Sequence, residues 1–143
     1  MPKSTSICNN FLALLYNATT WANIAINATA APITDIYLAL ATVTGAPADT
    51  MSTNETAYTN YVRKTVVRST LGWTAPASAS TSNAAAVDFA QCGVTGATIV
   101  AAKTGKAVGA SEVFHYGDLN APIVVSNLIR PTFDIGAITI TES

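Results

Sequence analysis

From Asp35 onward the apolar residues of this chain recur at every second position, in short runs closed by Gly, Pro, Asn or Asp. Alternation of that kind means strands, because successive side chains of an extended backbone point to opposite faces. Over residues 35–41 it places Ile36, Leu38 and Leu40 on one face and Tyr37 and Ala39 on the other. The same reading predicts strands over 61–70, around 87–89, and over 98–102, 112–116, 123–125, 132–135 and 137–141. Residues 103–106 and 118–122 are read as turns, and 72–83 as a loop holding Trp73 and Pro76. No helical pattern separates the strands, so parallel βαβ units are excluded. The expected fold is mainly β: an antiparallel β-sandwich or jelly roll of about eight strands.

The N-terminal residues obey a different period. Ser4 or Ser6 can cap a helix in which Ile7, Phe11 and Leu14 or Leu15 recur at helical spacing, with Cys8 and Leu12 on the same side. A second short helical stretch is predicted after Thr20, with Trp21, Ile24, Ala25 and Ala28 at spacings of three and four, ended by Pro32. The organisation expected is one domain, in which residues 1–31 are a helical segment packed on a β-sandwich formed by residues 32–143. Phe11, Leu12 and Leu15 are the residues expected to pack on that domain or on a neighbouring copy.

Composition narrows the function classes. The chain is 143 residues long, 50% hydrophobic and only 10% charged, where a typical globular chain has about 25% charged residues. Its mean hydropathy is +0.35. The longest apolar runs, such as 11–16, fall far short of the ~20 residues a membrane span needs. Seven Lys and Arg stand against eight Asp and Glu, which excludes a nucleic-acid reader that works by neutralising phosphates. A neutral, apolar surface with no membrane to enter is expected to be covered by other protein. The chain is therefore read as a homo-oligomer, a trimer before a dimer, with synthesis in a cytoplasm because no secretory leader is recognised.

Catalytic chemistry is not expected. His115 alternates with aromatic residues along a predicted strand, and Thr104-Gly105-Lys106 lacks the upstream glycine and the following helix of a phosphate loop. Cys8 and Cys92 have no metal-ligand spacing and read as small buried apolar groups. No cofactor, no metal and no catalytic residue are assigned. The long loop 42–60 is the place to expect a binding surface, since loops of this length in compact domains are usually functional. Met51, Tyr58 and Tyr61 are its apolar anchors, and Arg63, Lys64 and Arg68 form a basic edge beside it. These six residues are the expected partner-binding set.

The order of landmarks carries a resemblance. An N-terminal helical segment leads to Pro32-Ile-Thr-Asp-Ile-Tyr-Leu-Ala-Leu40 and a Gly45-Ala-Pro47 turn, then to Asn54-Glu-Thr-Ala-Tyr-Thr-Asn-Tyr-Val-Arg63. Gly72-Trp73-Thr, Ser82-Asn83, Val87-Asp-Phe89, Gly96-Ala-Thr98, Tyr116-Gly-Asp-Leu119 and Gly136-Ala-Ile-Thr-Ile-Thr141 follow. This series resembles a family of small tailed-bacteriophage virion structural proteins, labelled tail-fibre-like, some of whose relatives are capsid cement or decoration proteins. Such proteins usually have a glycine where this chain has Asn60. The resemblance implies a virion location and a non-catalytic role. The reading favoured by a short chain without heptads or a low-complexity stalk is a cement protein on the outer capsid surface, bridging capsomers, with the major capsid protein as partner. The alternative is a tail fibre or tail-tip module that binds a host-surface receptor.

Overall fold

The computed structural model describes residues 3–21, 24, 33–47, 49–106 and 112–143. Within them lie one helix and eight strands: α1 (Thr5–Tyr16), β1 (Asp35–Ala41), β2 (Lys64–Val67), β3 (Ser80–Ser82), β4 (Val87–Asp88), β5 (Ala97–Gly105), β6 (Val113–Val125), β7 (Thr132–Phe133) and β8 (Thr139–Thr141). The fold is mainly β, with antiparallel sheets and a helix near the N-terminus, as the alternating pattern predicts. The second helical stretch expected after Thr20 falls on residues 22–23 and 25–32, outside the described residues. The strands form one four-stranded sheet in the order β2-β1-β5-β6 and two two-stranded sheets, β3 with β8 and β4 with β7. The chain divides into two compact units.

The first unit comprises Met1–Thr34, Val66–Val87 and Phe133–Ser143. Its helix starts where the sequence says it should, with the Ser4 hydroxyl accepting from the Ile7 N–H at 3.3 Å. The buried stripe is Cys8, Leu12 and Tyr16, one turn apart each. Phe11, expected in that stripe, is 40% exposed under the Lys3 ammonium, and Leu15 is half-buried. Leu12 of the predicted set lies at the centre of the packing face, which Tyr16 extends by meeting the fully buried Trp73 edge-on, 4.8 Å between ring centroids. Trp73 lies beyond a tight turn that closes with Gly72 N–H and Trp73 N–H both on the Ser69 carbonyl. A Cβ at Gly72 would meet the Val67 carbonyl oxygen, so that position admits only glycine.

Asn83 knits this unit together. It is fully buried, its amide donates to the Ala85 and Asp134 carbonyls at 2.8 Å each, and its Oδ1 accepts from the Ile138 N–H at 2.8 Å. Its own backbone pairs with Ile138 and Gly136. Asn83→Ala is expected to cost about 2–4 kcal/mol in urea unfolding, because three backbone groups lose their buried side-chain partner at once.

The second unit comprises Asp35–Thr65 and Asp88–Thr132. Its centre is β1, in which Leu38, Ala39, Leu40 and Ala41 are all buried, so both faces of this strand are covered. β5 runs antiparallel to it with Ala39 opposite Lys103. The turn predicted at 103–106 is largely strand, since Lys103, Thr104 and Gly105 complete β5. The turn predicted at 118–122 is also corrected: β6 is continuous over 13 residues. Its register with β5 jumps from Ile99 opposite Ile123 to Ala101 opposite Asp118, so residues 119–122 bulge out against Val100. Asn120 and Pro122 disturb the ladder without ending it, since β6 lies at the sheet edge, where a missing N–H is tolerated.

Candidate functional site

The loop 42–63 begins by returning along the end of β1. Thr42 N–H bonds the Asn54 carbonyl, Thr56 N–H bonds the Leu40 carbonyl, and Ala41 bridges to Glu55. A turn at 50–53 is held by the Thr53 hydroxyl, which accepts from the Thr50 N–H at 2.9 Å. Beneath this turn, Lys103 reaches up from β5. Its ammonium donates to the Thr50 and Thr53 carbonyls at 3.1 and 2.7 Å and pairs with the Asp49 carboxylate at 2.9 Å. Lys103 is 1% exposed. Its bonds to Lys103, and then to the Ala46 N–H, hold the Asp49 carboxyl below its ordinary pKa. Met51 is completely buried and sits against Gly105, where a Cβ would strike its sulfur.

The other half of the loop is organised by Glu55. Arg63 grips it with two bonds, Nε to Oε1 at 2.8 Å and Nη2 to Oε2 at 2.7 Å, and reaches Ser52 Oγ at 2.9 Å. Its hydrogen bond to Glu55 raises the Arg63 pKa above its ordinary value. The Tyr61 hydroxyl donates to Glu55 Oε1 at 2.9 Å and accepts from the Leu40 N–H at 3.0 Å. Burial drives its pKa far above the usual tyrosine range. Tyr61 stacks on Phe89 and meets Tyr58 edge-on, and the Tyr58 hydroxyl is bonded to the Ala90 carbonyl. Together Ser52, Glu55, Tyr58, Asn60, Tyr61 and Arg63 line an open depression of about 740 Å³. Asn60 turns the loop at φ 76°, a left-handed conformation that asparagine tolerates better than most residues with a side chain. Tyr61→Phe leaves the Leu40 N–H without a partner and should cost about 1–2 kcal/mol by thermal melting.

The six residues expected to form a partner-binding surface are placed as follows. Tyr58, Tyr61 and Arg63 are brought together at the depression. Met51 and Tyr58 are buried inside the second unit, where they anchor the loop. Arg68 belongs to the first unit, 8% exposed, with its guanidinium on the carbonyls of Leu14, Leu15 and Ile33. Lys64 is exposed at the start of β2. The expected basic edge is thus corrected: Arg63 and Arg68 are consumed by internal acceptors, and Lys64 alone of the three presents its charge to water. Glu55, Asp49 and Lys103 are the residues sequence reading missed. A lysine alternating with buried Ala101 along a strand was the one signal for them.

Chemically, this arrangement holds a loop rigid. The described residues contain no group of three or more His, Cys, Asp or Glu placed to hold a metal. Among comparisons with known proteins, a family model described as Podophage GP4 fiber I protein gp80 matches residues 13–141. No curated protein matches the chain.

Proposed function

The chain belongs to the Podophage GP4 fiber I protein gp80 family and is a bacteriophage virion structural protein; from that premise we propose that it is a module of a virion fibre. The observation that carries this reading is the extent of the match, nearly the whole chain, to a family named for a fibre protein. The buried charges support a structural rather than a catalytic role, since Arg63, Arg68 and Lys103 each spend their donors on internal oxygens. The protein is made in the bacterial host's cytoplasm and works in the assembled particle as a homo-oligomer beside other virion proteins. Light scattering of the purified chain should return a multiple of its 14.7 kDa mass, three before two.

Copy number tests the reading against its rival. A fibre module is present in purified virions at a small fraction of the major capsid protein, by quantitative mass spectrometry. A cement protein that bridges capsomers approaches the capsid protein in amount, and that result would replace the fibre reading with the cement one.

A further inference from the structure

Asn17 follows the last turn of α1 and is held there by its own backbone, whose N–H donates to the Ala13 carbonyl at 3.0 Å. The next residue, Ala18, turns the chain at φ 56°, the left-handed conformation that commonly closes a helix. The Asn17 side chain leaves the helix toward Trp73, and its Nδ2 donates to the Trp73 carbonyl at 3.0 Å. Trp73 is fixed as well, by its N–H on the Ser69 carbonyl and by its bridge to Asn83. The two residues are thus held in direct contact inside the first unit.

Each has one polar atom left over. Asn17 Oδ1 and Trp73 Nε1 are both buried, and neither finds a hydrogen-bond partner among the described residues. The amide orientation is not interchangeable, since a flipped Asn17 would set its oxygen against the Trp73 carbonyl oxygen. One orphan is therefore an acceptor and the other a donor, because an indole nitrogen only donates. Buried polar groups are almost always paired, and two complementary orphans on touching residues match one group that both accepts and donates. A contact of the indole N–H with the Tyr16 ring, 4.8 Å between centroids, would serve Trp73 but leave the Asn17 oxygen unpaired.

We propose that Asn17 Oδ1 and Trp73 Nε1 hold a single internal water, which accepts from the indole and donates to the amide oxygen. Size selects water, since Trp73 and Tyr16 are both 0% exposed and leave an organic ligand no way in. Charge selects it too: the Asn17 oxygen repels an anion, and the indole N–H repels a cation. The water then does at Asn17 what Arg68 does for the Leu14 and Leu15 carbonyls, supplying a partner at the end of α1. This holds wherever on the particle the chain sits.

The test is water-selective cross-relaxation spectroscopy on the isotope-labelled full chain. The chain has two tryptophans, and a Trp21→Phe variant tells the Trp73 indole from the other. In the rotating frame a dipolar contact and chemical exchange have opposite signs, so a held water is separable from proton exchange with solvent. The Trp73 indole proton should show a dipolar cross-peak to water, and Asn17→Leu should abolish it. Absence of that cross-peak in the parent would overturn the proposal, and an upfield-shifted indole proton would then assign it to the Tyr16 ring. A cross-peak of parental intensity in a folded Asn17→Leu variant would also overturn it, by showing that the water does not need the amide. Should that variant fail to fold, a crystal structure of the parent chain decides. Density within about 3.2 Å of both atoms is the expected result, and density beside only one of them, or neither, overturns the shared site.

Discussion

Arg68→Met is expected to destabilise the protein by about 3–5 kcal/mol, with loss of helical signal in circular dichroism ahead of the main unfolding transition. The last carbonyls of a helix have no partners within it. Arg68 supplies them for α1, with Nε on the Leu15 carbonyl at 2.6 Å and Nη2 on the Leu14 carbonyl at 2.5 Å, and Nη1 on the Ile33 carbonyl at 3.2 Å. Its positive charge also sits at the end of the helix that favours a cation. Burial lowers the Arg68 pKa from its ordinary value, yet a guanidinium there remains charged and fully directed. Methionine fills the space and removes all the donors. Arg68→Lys keeps the charge but presents a compact ammonium in place of a fork, so its loss should be about half as large. Equal stability of the methionine variant would show that water satisfies these carbonyls just as well.

Lys103→Met should cost a similar amount, about 3–5 kcal/mol, and its effect should be concentrated in the loop. The Thr50 and Thr53 carbonyls lose a buried donor, and Asp49 loses its counter-ion. Hydrogen exchange and proteolysis at 49–55 should rise well above the parent, while Asn83 and its neighbours in the first unit stay protected. The double variant with Asp49→Asn should lose less than the sum of the singles, since both act on one ion pair. The pair also sets an acid dependence. The folded-state pKa of Asp49 lies below its ordinary value of 3.8, so its contribution is complete above that value and is lost as pH falls through the lowered one. Denaturant titrations at and below about pH 4 should show a shallower acid decline in Lys103→Met than in the parent.

Both effects depend on contacts that a local pattern cannot reveal. The strand over residues 35–41 was legible in full, because an unbroken alternation of Ile, Leu and Ala has one structural meaning. Ser4 was legible as a helix cap for the same reason. The turn expected at 118–122 was not a turn, because Asp, Asn and Pro also mark a bulge on an edge strand, and which of the two forms depends on whether the partner strand continues. The basic edge shows the limit most clearly. Arg63, Lys64 and Arg68 are close in sequence and carry one sign, which reads as a patch. Arg63 finds Glu55 eight residues back, and Arg68 finds the end of α1 more than fifty residues back, so the patch dissolves on folding. Tyr58, Tyr61 and Arg63 did come together, since a short stretch of chain connects them.

The central claim is that this virion structural protein belongs to a fibre, and where it sits on the particle tests that directly. Gold-labelled antibody against the purified chain, viewed on intact virions by electron microscopy, should mark the tail or its appendages sparsely, and leave the faces of the head bare. Dense labelling spread evenly over the head would contradict the fibre assignment and place the protein on the capsid lattice.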